Sequence, residues 1–120
     1  MKKKSKWTIP EQALFLKRIG DLLSRGYPLA EAIESLRFYL SPSKSADLQA
    51  ALGQLREGYP FFEVLESLSF EKNLVSYVYF SEEHGSLAEA ITEGSQMVLK
   101  REEDKRKLKS LTAYPVSFWP

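Results

Sequence analysis

A chain of 120 residues, 43% hydrophobic and 28% charged, has the make-up of one folded domain, with room for a core but not for two. With 17 basic residues against 16 acidic ones, its formal net charge is +1, which argues against a dedicated nucleic-acid surface. The absence of cysteine excludes a disulfide scaffold and a thiolate metal site, and permits a cytoplasmic location.

Residues 1–9 read as a basic flexible segment. Lys2, Lys3, Lys4 and Lys6 resemble the start of a signal peptide, but Trp7-Thr8-Ile9-Pro10-Glu11-Gln12 is too polar to be its apolar region. Nowhere does the sequence hold an uninterrupted apolar run of membrane length, so as it stands it reads as soluble. Residues 10–112 carry helical periodicity throughout. The first helix is expected to start at Thr8 with Glu11 as its capping partner, placing Phe15, Ile19, Leu22 and Leu23 on one face and Lys17, Arg18 and Asp21 on the other.

Gly26-Tyr27-Pro28-Leu29-Ala30-Glu31-Ala32-Ile33 then marks a corner, and Gly58-Tyr59-Pro60-Phe61-Phe62-Glu63-Val64-Leu65 repeats it. Glycine takes the left-handed conformation that closes a helix, and proline one residue inside the next helix gives up an N–H that would be unpaired there. A third corner, Gly85-Ser86-Leu87-Ala88-Glu89-Ala90-Ile91, replaces proline with a Ser-x-x-Glu capping box. Three corners imply three helical hairpins, hence an all-α, six-helix antiparallel bundle.

Between the corners, the second helix carries Leu29, Ala32, Ile33, Leu36 and Leu40 inward and is expected to stop at Ser41-Pro42-Ser43. The third, from about Ser45, buries Leu48, Ala51, Leu52 and Leu55, and the short fourth buries Phe61, Val64, Leu65 and Leu68 before stopping near Ser69. Glu71 begins the fifth. Its Val75-Ser76-Tyr77-Val78-Tyr79-Phe80 has strand-like composition, but a lone strand would lack a partner, so it reads as a mostly buried helix. The sixth is amphipathic through Leu87, Ala90, Ile91, Gly94 and Val98, then turns into the charged run 100–109, with Glu102–Arg106 and Glu103–Lys107 at favourable i,i+4 spacing. From Leu87 to Thr112 it would extend roughly 39 Å, more than the bundle needs. Residues 113–120, rich in Tyr, Phe and Trp, read either as a frayed tail or as the start of a segment running into a bilayer, and the residues alone favour neither.

Several sharper readings compete. Glu82, Glu83, His84 and Glu89 gather acids about the one histidine, but a second histidine and a glycine-rich phosphate cradle are missing, so no enzyme activity is expected. Glu82, Glu89 and Glu93 are weak candidates for a hard cation, being spread over two helices. No cofactor is expected. The corner spacings, 32 residues from Gly26 to Gly58 and 27 from Gly58 to Gly85, leave a tetratricopeptide-like, peptide-binding adaptor as the runner-up. Phe61, Phe62, Tyr77, Tyr79 and Phe80 are more aromatics than two short inward faces require. Phe62, Tyr77, Tyr79 and Phe80 are therefore a candidate interface, and a homodimer through it is expected.

The order Phe15, Arg18, Leu22, Gly26, Pro28, Leu29, Ala32, Ile33 resembles the cytoplasmic domain of the type II secretion F proteins, which are also the platform proteins of type IV pili and competence pseudopili. Glu82-Glu83-His84-Gly85-Ser86-Leu87 with Ala90-Ile91 resembles a further corner of that family, although Ser81 stands where it usually has Gly and His84 where it has a small residue. Lys109 through Tyr114-Pro115 resembles the basic approach to its first transmembrane helix. The resemblance implies an N-terminal cytoplasmic domain of a longer membrane protein, at the cytoplasmic face of the bacterial inner membrane. Its implied partners are a hexameric assembly ATPase and pilin-like subunits. The short lysine-rich lead is closer to the competence-type members.

Overall fold

The computed structural model describes residues 7–84 and 87–118, with side chains up to residue 109. Six helices follow one another there: α1 (Ile9–Ser24), α2 (Leu29–Arg37), α3 (Pro42–Arg56), α4 (Phe61–Ser67), α5 (Lys72–His84) and α6 (Leu87–Phe118). Consecutive helices pack on one another, and α1 packs most extensively on α6, closing the bundle. Contact between the first helix and the last is incompatible with an open repeat array. The all-α bundle expected from the corners is the fold observed.

The first two corners are Schellman motifs. Gly26 and Gly58 sit at φ +95° and +96°. Gly26 N–H donates to Leu23 O and Tyr27 N–H to Leu22 O; Gly58 and Tyr59 donate in the same way to Leu55 and Gln54. Pro28 and Pro60, expected inside the next helix, stand one residue earlier as N-caps, with ψ of 152° and 155°. The reason is local: the tyrosine before each proline is the last residue of the Schellman motif, so proline itself must turn the chain from extended to helical, and its fixed φ suits that position. The third corner glycine, Gly85, lies outside the described residues.

Two boundaries differ from expectation for one cause. Ser41-Pro42-Ser43 does not end α2 but begins α3: the Ser41 side chain accepts from Lys44 N–H and Pro42 is the first helical residue. The chain therefore leaves α2 at Arg37 and uses residues 38–40 as a turn, with Tyr39 N–H on Leu36 O. A closing motif without glycine was not foreseen. Ser69 holds φ +60° at the end of α4, where Ser69 N–H donates to Glu66 O and Phe70 N–H to Leu65 O.

Phe61, Leu16, Ile19, Ile33, Leu48, Leu65 and Ile91 are among the side chains almost fully enclosed in the core. One end is built on Trp7, whose ring lies 5.3 Å from Phe15 and 5.4 Å from Phe70. The fold thus takes in Trp7 and Thr8, which fall within the flexible lead expected at residues 1–9, while residues 1–6 lie outside the described part. Thr8 and Glu11 form the expected capping box. The buried Gln12 donates from Nε2 to Trp7 O and accepts from Glu71 N–H at Oε1, at 2.9 and 2.7 Å, tying the start of the chain to the α4–α5 turn. Burying an amide with both ends partnered avoids the roughly 1–3 kcal/mol cost of an unpaired group.

Candidate functional site

Two glycines set α6 against its neighbours. A Cβ on Gly20 would lie 2.5 Å from Thr92 Oγ1 and 3.2 Å from Ala88 O, and one on Gly94 would lie 2.6 Å from the Tyr77 ring. Only a bare backbone allows these approaches. Ile91, Gly94, Ser95 and Val98 form the buried stripe of α6.

Beside that stripe, α5 and α6 part to leave a groove of about 610 Å³ lined by Tyr77, Phe80, Ala90, Met97, Val98 and Arg101 among others. The Tyr77 hydroxyl donates to Met97 Sδ at 3.1 Å, and Arg101 Nη2 closes one end against Glu71 Oε1 at 3.2 Å. Phe80 and Met97 are 64% and 59% exposed, so an apolar ridge borders the groove. α5 is a helix, as read, but not a mostly buried one: only Leu74, Val78 and Ser81 are enclosed. The strand-like composition of 75–80 reflects this exposed aromatic face.

The four candidate interface residues divide between two faces. Tyr77 and Phe80 line the groove, whereas Tyr79 turns toward α4 and meets Phe62 edge-on at 4.9 Å. Phe80 also packs on the His84 ring at 5.1 Å.

Glu82 has a structural task that its sequence position did not suggest. Its two carboxylate oxygens accept from Phe61 N–H and Phe62 N–H, each at 2.8 Å. α4 has no side-chain cap of its own because Pro60 stands at its N-cap, and Glu82 supplies the missing acceptor from α5. Among the described residues no three His, Asp or Glu side chains are grouped to hold a metal ion, Glu82, Glu89 and Glu93 included. Glu71 caps α5 similarly, its Oε2 accepting from Asn73 and Leu74 N–H.

At the Trp7 end, Lys44 forms an ion pair with Glu11 and lies 5.6 Å over the Trp7 ring. The Lys44 ammonium, assisted by Thr8 N–H, lowers the Glu11 carboxyl to about 2. In the adjoining turn Phe38 and Tyr39 are 81% and 80% exposed. Sequence reasoning missed this pair, although both fall outside the i, i+3, i+4 stripe of α2.

Past Arg101 and Glu102 the remaining described side chains of α6, residues 103–109, are exposed. Lys107 pairs with Glu103 at 3.5 Å, as the spacing implied, while Glu102 faces Lys105 at 3.9 Å in place of the expected Arg106. No described helix is long and apolar enough to cross a membrane.

The chain is thus a closed helical bundle with an aromatic groove between α5 and α6 and a last helix whose side chains from Glu103 to Lys109 are exposed. The profile of the family described as "Type II secretion system (T2SS), protein F" matches residues 15–120, and the chain belongs to that family. The ComG operon protein 2 homolog of Halalkalibacterium halodurans is 34% identical over 95 residues, and ComG operon protein 2 of Bacillus subtilis 33% over 91. These matches cover 79% and 76% of this chain but 29% and 28% of the relatives, so the chain spans less than a third of their length.

Proposed function

We propose that this domain is the non-enzymatic platform module of a secretion, type IV pilus or competence-pseudopilus machine. In this reading it sits at the cytoplasmic face of the bacterial cell membrane and links a hexameric ATPase to the assembly of pilin-like subunits. Family membership supplies the class of machine. The observation that carries the mechanical part is α6, 32 residues in one helix of roughly 48 Å, clamped along its first half and exposed from Glu103 to Lys109. Such a helix transmits a push or a rotation from the bundle to whatever follows it. The α5–α6 groove and its aromatic ridge, with the Phe62–Tyr79 pair beside it, are the surface through which the domain pairs with a second copy.

Proline inside the projecting part removes a backbone hydrogen bond and clashes with the preceding turn, at about 3 kcal/mol or more locally. Lys105→Pro in the full-length protein is therefore expected to abolish pilus or pseudopilus assembly while the bundle keeps its melting temperature. Normal assembly by that variant would refute the lever. Sedimentation at high concentration checks the pairing: a dimer weakened by Phe80→Ser is expected, and a monomer throughout contradicts it.

A further inference from the structure

Where α6 stops being packed, one ion pair and a run of hydrogen bonds join it to three other helices. Arg101 Nη2 meets Glu71 Oε1 at 3.2 Å. The other oxygen of that carboxylate, Oε2, accepts from Asn73 and Leu74 N–H at 2.9 and 3.2 Å and so holds the first turn of α5. Glu71 N–H donates to Gln12 Oε1 at 2.7 Å, Gln12 Nε2 to Trp7 O at 2.9 Å, and the Trp7 indole to Asp47 Oδ2 at 3.2 Å. The run therefore passes from α6 through the start of α5 to α1 and α3. Gly20, late in α1, lies against Ala88 and Thr92 early in α6, whereas Gln12, early in α1, is joined through Glu71 to Arg101. The two helices are thus antiparallel, and α6 leaves the body beside Trp7.

Two features make this point a joint and not a plain contact. The Glu71 carboxylate serves two elements at once, so it cannot follow Arg101 without loosening the first turn of α5. In the same turn of α6, Arg101 Nε and Glu102 Oε1 are enclosed with no hydrogen-bond partner among the described residues. An unpaired buried polar group favours any movement that returns it to water, so this turn of α6 is the one most ready to shift. From this arrangement we infer that Glu71 is a relay: a bend of the outer half of α6 passes through Arg101 to the Glu71 carboxylate, and from there to the first turn of α5 and to Gln12. The inference rests on the lever reading of α6 and names the contact through which its load crosses into the bundle.

Lys105→Pro supplies the disturbance, because proline there removes the N–H that bonds to the Arg101 carbonyl and its ring presses on that carbonyl. By NMR, the proline variant is compared with its parent in two backgrounds, the natural chain and Arg101→Leu. The signals read are the backbone amides of Glu71, Asn73 and Leu74 and the side-chain amide of Gln12, whose hydrogen bonds lie one or two steps beyond Arg101. All are expected to shift in the natural chain and to stand still in Arg101→Leu, while the amides of residues 103–106 shift in both. Lys105→Gly loosens the same turn without the ring and should give the same pattern with smaller shifts, which keeps the test decisive if proline unfolds the bundle. Signals that stay put in the natural chain would overturn the relay. So would signals that move equally without Arg101, since the load would then cross through the packing around Gly94 and Val98. Failure of the lever reads differently: it appears as normal pilus assembly by Lys105→Pro, whereas these signals are read in the chain by itself.

Discussion

The two halves of α6 are held by different physics. From Leu87 to Leu99 its inward side chains lie against α1 and α5 at spacings that only glycine at positions 20 and 94 allows. From Glu103 to Lys109 every side chain is exposed, and support comes from pairs such as Lys107–Glu103, worth about 0.2–0.5 kcal/mol. At the boundary, Arg101 Nε and Glu102 Oε1 are buried without a hydrogen-bond partner. One half is specified by its neighbours and one by its own sequence, so the helix can be anchored and projecting at once.

The largest test of that contrast is truncation. Ile91→Ala removes a side chain that is 1% exposed and should cost about 2–5 kcal/mol in urea melts, whereas Asp104→Ala should change stability by less than about 0.5 kcal/mol. Comparable effects would erase the distinction. Next comes the clamp. Gly94→Ala drives a methyl into Tyr77 at the inner end of its ring, so α5 and α6 must separate, for about 1–3 kcal/mol lost despite the gain in helix propensity.

Helix ends give smaller effects. Glu82→Ala leaves Phe61 and Phe62 N–H without their acceptor and should cost about 1 kcal/mol. Ser69→Gly relieves the left-handed strain and should stabilise by about 0.5–1 kcal/mol, an increase readable as a higher melting temperature.

The smallest is a pH effect. The folded-state pKa of Glu11 is lowered from 4.5 to about 2, so its contribution is fully present above pH 4.5 and is lost as pH falls through about 2. Glu11→Gln should flatten the acid limb of stability in that window and leave the slope above it unchanged.

Much of this fold was legible because it is local. Thr8 with Glu11, and the glycines at 26 and 58, state their geometry within a few residues. Pro28, Pro60 and Pro42 were read one or more positions out of place, since proline suits the N-cap and the first turn alike and only the hydrogen-bonded turn before it decides. What could not be read was set across long separations: Gln12 reaching Glu71, Glu82 capping α4, and Trp7 under Lys44. The candidate site was half legible for the same reason. The aromatics of α5 marked a surface, but which of them face the groove and which face α4 depends on how α6 seats against Gly94.

Amide hydrogen exchange along α6, read residue by residue in the intact chain, tests the central claim most directly. Protection at the level of global unfolding is expected from Ile91 to Val98, falling by orders of magnitude from Glu103 onward while those residues stay helical by chemical shift. Uniform protection to Lys109 would mean that the outer half is packed rather than projecting, and would contradict the account.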